Sequence, residues 1–548
     1  MTFSATDRSR ILNRLKNQEY DIAIIGGGIT GAGAARDAAS RGMKVALVEG
    51  ADFASGTSSR SSKLIHGGIR YLENLEFHLV FEALSERQRL FELAPHLVHP
   101  LRFLLPLYKS GRVPAWKMGM GMWLYDALSL FEAPELNQFL DPEEVAREFP
   151  ALQIADLEGA FAYYDAYMDD DRLVHETLRS AREFGADAVN YVRAFDAKMQ
   201  NGKVSAIECT DMLTGEPFTL RAKHYVSSVG PWTDILGKEL LHEWKKTLRP
   251  AKGVHLTFNK SRFPLNDAVV MGAESRIVFA IPRHEMVIVG TTDTDYPGDP
   301  AKVRTEPADV DYLLKVVDKY FPGARLTRKN IVGCYAGVRP LIDDGAQSES
   351  KTSREHAIWT DPRGITFVAG GKYTTYRNMA EQTVDHVLAS FPIEERVQFN
   401  QSRTLAPLNP LVTTHLLDRA RQEHVRWARD WNLPETITAE VADRHGLEGE
   451  RILEDALAWR TAIRDPEEWM WCAEALHAIE HTMCLHLADF YLRRTHLVLA
   501  RADHGKPFVQ NIARVMGERL GWDSKRREGE INALQNQLDW ELSATISG

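Results

Sequence analysis

Few cysteines occur in this sequence, and none is placed for a disulfide framework or a zinc site. The 548 residues include four, Cys209, Cys334, Cys472 and Cys484, with no C-x-x-C pair. Scattered single cysteines are typical of buried free thiols in a reducing compartment. We therefore expect neither disulfides nor a metal centre.

Long apolar runs are also missing. No stretch approaches the roughly 18 residues that a membrane-spanning helix requires. The opening segment MTFSATDRSRILNRLKNQEYD lacks the apolar core of a secretory signal. These absences predict a protein that is cytoplasmic or that lies on a membrane surface.

An excess of basic residues is missing as well. The chain has 66 Lys and Arg against 76 Asp and Glu, a formal net charge of -10, which argues against general nucleic-acid binding. Its 44% hydrophobic and 26% charged residues are those of a globular protein. The length predicts two or three domains.

The most informative stretch that is present is YDIAIIGGGITGAGAARDAASRGMKVALVEG, at residues 20–50. An apolar strand leads into Gly26, Gly28 and Gly31 in G-x-G-x-x-G spacing, and a later strand ends in Glu49. Gly26 permits a tight turn, Gly28 admits a pyrophosphate at a helix N-terminus, and Gly31 allows close helix–strand packing. Because Glu49 can accept hydrogen bonds from a ribose diol, the combination predicts dinucleotide binding.

Two features favour FAD over NAD as that dinucleotide. The fingerprint lies at the start of the chain, and a second strand–glycine–helix junction, ITFVAGGKYTT, follows more than 300 residues later. Its Gly370 and Gly371 precede a helix predicted from about Thr375, whose N-terminus would face the flavin. A third strand-to-glycine junction lies at Gly230.

Taken together, the motifs resemble one family, the FAD-dependent glycerol-3-phosphate dehydrogenases. The matching segments are IIGGGITGAGAARDAASRG, TSSRSSKLIHGGIRYLE, APHLVHPLRFLLP, GPWTDIL, IVGTTDTDYPGDP, GVRPLIDD, GGKYTTYR, ADFYLRRTHLVL and RLGW. The resemblance implies an α/β fold: a Rossmann-like FAD-binding domain of the D-amino-acid-oxidase-like flavoproteins, an inserted substrate domain on a mixed or antiparallel sheet, and an all-helical C-terminal domain.

The resemblance also sets the expected domain boundaries. We place a polar N-terminal arm at 1–19, the oxidoreductase region at 20–395, a linker at 396–412 and the helical domain at 413–548. Within the oxidoreductase region, FAD-binding segments are expected at about 20–95, 150–245 and 335–395, and substrate-binding segments at about 96–149 and 246–334.

The implied activity is oxidation of sn-glycerol 3-phosphate to dihydroxyacetone phosphate. Hydride would pass from C2 to flavin N5, and electrons would pass on to a membrane quinone. Two alternatives of the same fold stay open, a glycerol-3-phosphate oxidase that uses dioxygen and an amine or amino-acid oxidase.

A small phosphate-bearing substrate needs fixed cationic donors in its pocket. Arg70, Arg339 and Lys372 match the family's substrate-binding basic residues, and Arg339 and Lys372 are also predicted to be catalytic. Tyr71 and Thr374 match the neighbouring hydroxyl contacts.

The C2 hydroxyl proton needs an acceptor, and a neutral imidazole suits that task near pH 7. His255, in AKGVHLTF, is favoured because it lies on the predicted substrate domain. His66, in KLIHGG, is the alternative base and is otherwise expected to hold the flavin.

The polar run that follows the second strand is predicted to steady the flavin through small hydroxyls and backbone N–H groups. The residues that match the family's flavin-contacting loop are Thr57, Ser58, Ser59, Ser62, Lys63 and Leu64. Gly230 and Gly371 complete the predicted cofactor contacts, and Arg60 has no assigned role.

Residues 93–125 carry no acidic side chain, and they combine Arg102, Lys109, Arg112 and Lys117 with the apolar segment VPAWKMGMGMWLY. Without the resemblance, a core helix after a basic loop would be the simpler interpretation. With it, we expect a monotopic contact through about 102–125 at the cytoplasmic face of the inner membrane. The helical C-terminal region could offer a partner surface or support a homodimer.

Overall fold

The computed structural model describes residues 3–68, 76–109, 114–130, 134–273, 276–343, 345 and 355–546. The strands are β1 (Glu19–Ile25), β2 (Val45–Val48), β3 (Leu64–Ile65), β4 (Val98–Tyr108), β5 (Gln138–Leu140), β6 (Leu157–Met168), β7 (Asp187–Val189), β8 (Val192–Gln200), β9 (Lys203–Asp211), β10 (Pro217–Ser227), β11 (Ala251–Asn259), β12 (Ala268–Ala273), β13 (Arg276–Arg283), β14 (Met286–Gly290), β15 (Thr294–Asp295), β16 (Ile331–Arg339), β17 (His356–Thr360) and β18 (Ile365–Gly370).

The helices alternate with these strands and then dominate the C-terminal part. They are α1 (Arg8–Asn17), α2 (Ile29–Ser40), α3 (Phe77–Leu93), α4 (Ala115–Leu128), α5 (Pro142–Glu148), α6 (Asp170–Glu183), α7 (Thr233–Leu241), α8 (Pro307–Tyr320), α9 (Tyr376–Leu388), α10 (Ile393–Gln398), α11 (Thr414–Trp431), α12 (Glu435–His445), α13 (Glu448–Asp455), α14 (Pro466–His481), α15 (Leu487–Arg493), α16 (Leu497–Ala500), α17 (Val509–Leu520) and α18 (Ser524–Ile546).

The first sheet is the dinucleotide-binding sheet that the sequence predicts. Its parallel core runs in the order β18-β10-β1-β2-β7, and β17 and the β8–β9 pair add antiparallel strands. β1 and β2 are buried along almost their whole length, as expected for parallel strands covered on both faces. Helix α2 follows β1 directly, so its N-terminus lies at the carboxyl end of the sheet, where such folds bind ligands.

The second sheet is mixed, as predicted, and mostly antiparallel. Its order is β15-β11-β14-β13-β12-β4-β6-β3, with β16 paired to β11 and β5 paired to β6. β3 and β6 lie within predicted FAD-binding segments but pair within the second sheet, and β16 spans the predicted boundary at 335.

The C-terminal region is helical from α11 onward, and it has its own apolar core, which includes Trp427, Trp469 and Trp471. The predicted linker is held against the first domain, because the Arg36 guanidinium donates to the carbonyls of Thr404 and Ala406. All four cysteines are buried free thiols, which confirms that expectation.

Helix α4 presents an apolar face to solvent instead of burying it. Trp116, Met120 and Trp123, spaced by four and three residues, are 68%, 62% and 64% exposed, and Phe77 and Phe81 of the neighbouring α3 are also exposed. The simpler interpretation of this segment as a core helix is therefore wrong. Within the described residues, no helix combines the length and apolarity that crossing a bilayer requires.

Candidate active site

A cavity of about 1370 Å³ is lined by residues of both sheets. It brings together predicted site residues that are far apart in the chain. Those on its wall are Gly26, Gly28, Glu49, Thr57, Ser58, Ser62, Leu64, His66, Gly230, His255, Arg339, Gly371, Lys372 and Thr374. Arg70 and Tyr71 lie outside the described residues.

The first turn of α2 forms the phosphate end of this wall. Gly26 has a φ of 111°, which L side chains rarely adopt, and Gly28 is the N-cap of the helix. The exposed N–H groups and the dipole of a helix N-terminus attract anions.

Glu49 accepts hydrogen bonds from Gly27 N (2.7 Å) and Ala51 N (2.9 Å), which fix its carboxylate beside the turn. Burial raises the pKa of Glu49 above its ordinary value. These donors and this acceptor fit the pyrophosphate and ribose of a dinucleotide.

Gly31 does not line the cavity; it allows α2 to pack on β1. A Cβ atom built on it would lie 1.9 Å from the carbonyl oxygen of Gly26.

We expect Gly31→Ala to cost about 3 kcal/mol or more in unfolding free energy, because backbone must move, and to weaken FAD binding. Chemical denaturation and FAD titration measure both effects. The control is Gly529→Ala on α18, where a built Cβ meets no described atom within 4 Å. Equal stability of Gly31→Ala and wild type would contradict this packing role.

Two hydrogen bonds hold the predicted flavin-contacting loop, one to the start of α2 and one to β16. Ser58 Oγ accepts from Ile29 N (3.0 Å) at the start of α2, and Thr57 Oγ1 donates to the carbonyl of Val338 on β16 (2.6 Å). The loop therefore joins the phosphate-binding turn to the strand that ends in Arg339.

Two predicted flavin contacts are not on the cavity wall. Lys63 is buried with a φ of 56°, and its ammonium forms an ion pair with Asp170 and donates to the carbonyl of Ser59. Ser59 is likewise absent from the lining residues. The Lys63 side chain therefore holds the loop through Asp170 and the Ser59 carbonyl, away from the cavity. The sequence could not show this, because the direction of the side chain depends on the backbone conformation.

His255 lies in the cavity wall with its ring held on three sides. Its Nε2 is 2.8 Å from Ser62 Oγ, and the ring stacks on Tyr335 with centroids 4.8 Å apart. Gly290 makes room for it, since a built Cβ there would be 2.1 Å from His255 Cδ2. Burial, with Arg339 and Lys63 nearby, lowers the pKa of His255 well below its ordinary 6.5. The imidazole is therefore neutral near pH 7.

Arg339 is oriented by residues of the segment after β14. Its guanidinium donates to Asp293 Oδ1 (2.8 Å) and to Thr291 Oγ1 (3.0 Å). Gly253 lies beside it, and a built Cβ there would be 2.7 Å from Arg339 Nη2. This fixed cation shares the wall with His255 and Lys372.

Thr374 and His66 meet across the same wall. His66 N donates to Thr374 Oγ1 (3.2 Å), so the second glycine junction is tied to the loop after β3. Helix α9 begins at Tyr376, close to the predicted start, and Gly370 and Gly371 have φ values of 77° and 84°.

Several residues of the site were missed by the sequence interpretation. Gly290, Thr291 and Asp293 belong to IVGTTDTDYPGDP, a motif that was recognised but given no role. Arg276 and Phe279 of β13 also line the cavity, and no local pattern marks them.

Known proteins resemble this chain over almost its whole length. A model described as FAD dependent oxidoreductase matches residues 21–377, and one described as the C-terminal domain of alpha-glycerophosphate oxidase matches 411–527. The aerobic glycerol-3-phosphate dehydrogenase of Bacillus subtilis is 36% identical over 544 residues, 98% of each chain. That of Staphylococcus saprophyticus is 34% identical over 548 residues, also 98% of each. The structure of glycerol-3-phosphate dehydrogenase from Bacillus halodurans complexed with FAD superposes with a TM-score of 0.80 at 29% identity, covering 98% of both chains.

Proposed function

The chain belongs to the FAD dependent oxidoreductase family, with a C-terminal domain of the alpha-glycerophosphate oxidase type, and on this premise we propose that it is an FAD-dependent glycerol-3-phosphate dehydrogenase. FAD is thus its cofactor, as predicted. The observation that supports the substrate is the shared wall of one cavity, where a neutral His255 lies with the cations Arg339 and Lys372.

The residues that would hold FAD follow from the cavity. The α2 N-terminus and Gly28 would hold the pyrophosphate, Glu49 would hold the ribose, and the loop at Thr57 to Ser62 would hold the flavin ring. When bound, FAD accepts the hydride that leaves C2 of the substrate.

His255 takes the proton of the C2 hydroxyl. We place the acceptor at Nε2, because its neighbour Ser62 lines the cavity whereas Nδ1 is buried without a hydrogen-bond partner among the described residues. Loss of that proton and of the C2 hydride leaves a ketone, dihydroxyacetone phosphate. Ser62 and Tyr335 keep the ring in place, so little reorganisation is needed.

Arg339 and Lys372 bind the phosphate. A guanidinium makes two parallel bonds to phosphate oxygens, and an ammonium adds a second charge. Asp293 holds Arg339 in position before the substrate arrives. We include Arg70 and Tyr71 in this group on the family resemblance alone.

An amine or amino-acid oxidase is the less suitable alternative. The substrate of such an oxidase carries one carboxylate and an amine. The three cations Arg70, Arg339 and Lys372 would not match those charges. A turnover assay with a quinone analogue tests the choice: activity with sn-glycerol 3-phosphate and none with glycine or D-alanine supports our assignment, and the reverse pattern overturns it.

For the electron acceptor we propose a membrane quinone. Glu76 lines the cavity and directly precedes α3, whose first turns carry the exposed Phe77 and Phe81. An apolar acceptor could therefore reach the cavity from the α3–α4 face. Near-stoichiometric hydrogen peroxide with no response to quinone would instead identify a dioxygen-using oxidase.

We further propose that the α3–α4 face rests on the cytoplasmic face of the inner membrane. Trp116 and Trp123 are exposed on the apolar face of α4, and Lys109 and Lys117 are also exposed. Exposed aromatic and basic side chains of this kind suit a membrane interface with anionic headgroups. Arg102 is less available, because it pairs with Glu148 and Asp267, and Arg112 lies outside the described residues.

If the α3–α4 face contacts the membrane, removing its exposed tryptophans should weaken the binding of the protein to phospholipid vesicles. Replacing Trp116 and Trp123 together by serine should reduce cosedimentation with anionic phospholipid vesicles about tenfold, since two interfacial anchors are lost. The control replaces Ile393 and Val397 of α10, which are 66% and 64% exposed, by serine. If both double variants bind vesicles like wild type, the α3–α4 face is not the contact.

A further inference from the structure

Residues 49–62, here called the cofactor loop, run from the ribose-binding acid to the flavin-contacting turn. Both ends of this loop contact the helical C-terminal domain through ion pairs. Arg60 lines the cavity, whereas Asp52 and the three partners from the helical domain, Arg493, Arg494 and Glu541, do not.

The first ion pair is centred on Asp52, three residues after Glu49. Asp52 accepts from Arg493 Nε (2.6 Å), Arg494 Nη1 (2.7 Å) and Arg494 Nη2 (3.0 Å), and its side chain is fully buried. Both arginines close α15, in the ADFYLRRTHLVL motif. Burial alone would raise the pKa of Asp52, but Arg494 and Arg493 outweigh burial and hold that pKa well below its ordinary value.

Asp52 is coupled to the phosphate-binding turn through its neighbours. Ala54 N donates to the carbonyl of Gly27 (3.1 Å), and a Cβ built on Gly27 would lie 2.5 Å from Phe53. The turn and the loop are therefore packed with no space between them, and a shift of Asp52 displaces backbone that touches the fingerprint.

The second ion pair joins Arg60 to Glu541, which lies on α18 and is 481 positions away in the chain. The guanidinium donates to both carboxylate oxygens (2.5 and 3.2 Å) and to the carbonyl of Ala336 (3.1 Å). The end of α18 is itself anchored, because Cys334 Sγ donates to the Glu541 carbonyl and Leu542 lies in the core of the substrate domain.

Arg60 lies between the flavin-contacting turn and the residue that orients the base. The turn Thr57–Ser59 ends at Arg60, and Ser62, two residues later, holds His255. Gly337 permits this approach, since a Cβ built there would be 2.8 Å from the Arg60 carbonyl oxygen. The ion pair between Arg60 and Glu541 thus fixes the loop between the flavin-contacting turn and Ser62, which holds the proposed base His255.

We propose that the helical C-terminal domain retains the cofactor, by holding the cofactor loop at Asp52 through Arg493 and Arg494 and at Arg60 through Glu541. Arg493, Arg494 and Glu541 are positioning residues: they contact the loop and are not among the residues that line the cavity. The inference rests on FAD binding alone and needs no substrate, so its failure would leave the proposed oxidation untouched.

The test is FAD affinity of the full chain, measured by titrating the apoprotein and following flavin fluorescence. Glu541→Gln keeps the shape of the side chain and removes its charge, and we expect the Kd for FAD to rise about fivefold to tenfold, because charge-assisted bonds that order the loop are lost. Asp52→Asn should raise the Kd by about tenfold or more, since two buried arginines lose their carboxylate. If Asp52→Asn does not fold, Glu541→Gln decides alone.

The matched control is Glu448→Gln. Glu448, on α13, forms a buried ion pair with Arg179 on α6 (2.6 Å), so it also links the helical domain to the first domain, but away from the cofactor loop. It should lower the Tm of the apoprotein and leave the Kd for FAD within about twofold of wild type.

Amide hydrogen exchange of the apoprotein gives a second readout. Protection of residues 49–62 should fall in Glu541→Gln and stay unchanged in Glu448→Gln. The proposal is overturned if Glu541→Gln binds FAD as wild type does. It is also overturned if Glu448→Gln weakens FAD binding equally, since general domain docking would then account for both.

Discussion

Replacing His255 by asparagine is expected to lower kcat for glycerol 3-phosphate about a thousandfold, the scale of a lost general base, while FAD stays bound. Asparagine is smaller than histidine, so it fits the space that Gly290 leaves. It cannot accept a proton, so the loss should appear in kcat and not in the Kd for FAD. Rapid-mixing measurement of flavin reduction checks the chemical step directly.

His66 provides the comparison, because it is the other candidate base on the same wall. In our proposal His66 holds the flavin and does not take the proton, so His66→Asn should reduce kcat far less than His255→Asn. If His66→Asn shows the larger loss, the two roles are exchanged.

The pH dependence of kcat/KM follows from the lowered pKa of His255. The base works only when neutral, that is, at pH values above its pKa. Because burial has lowered that pKa, the activity should persist below pH 6.5 and fall only in more acidic solution. An acidic limb centred above pH 6.5 would show that another group is the base.

Replacing Arg339 by methionine is expected to raise KM for glycerol 3-phosphate about 100-fold or more, because two charge-assisted bonds to phosphate are lost. The effect should exceed the loss of the bonds themselves, since the Asp293 carboxylate then loses the Arg339 guanidinium that pairs with it and repels the phosphate. Arg339→Lys should recover part of the loss, as it restores charge without the planar fork.

Two controls separate phosphate recognition from general damage. The inhibition constant of inorganic phosphate should rise in parallel with KM in Arg339→Met. Arg249→Met removes a guanidinium that pairs with Asp295 on the same sheet but is absent from the cavity lining, and its KM should match wild type. An unchanged KM in Arg339→Met would mean that the phosphate binds elsewhere.

The dinucleotide site was predictable because its signal is local. The spacing of Gly26, Gly28 and Gly31 and the acid at Glu49 lie within one strand–helix–strand unit, and each residue's role follows from backbone geometry. The second junction at Gly370 and Gly371 was predictable for the same reason.

The parts that the sequence does not determine depend on tertiary pairing. β6 has the composition of a strand, but nothing within it tells which sheet receives it. Lys63 has the charge of a ligand contact, yet a φ of 56° leaves it paired with Asp170. Arg60 had no assignable role, because Glu541 lies far along the chain without a shared pattern.

The central claim, that this chain oxidises glycerol 3-phosphate with its own FAD, is tested most directly by anaerobic reduction of the purified holoenzyme. The flavin absorbance band is recorded while sn-glycerol 3-phosphate is added, and dihydroxyacetone phosphate is assayed. The account predicts complete bleaching with one equivalent of dihydroxyacetone phosphate per FAD. Bleaching by glycine or D-alanine, with none by sn-glycerol 3-phosphate, would contradict it.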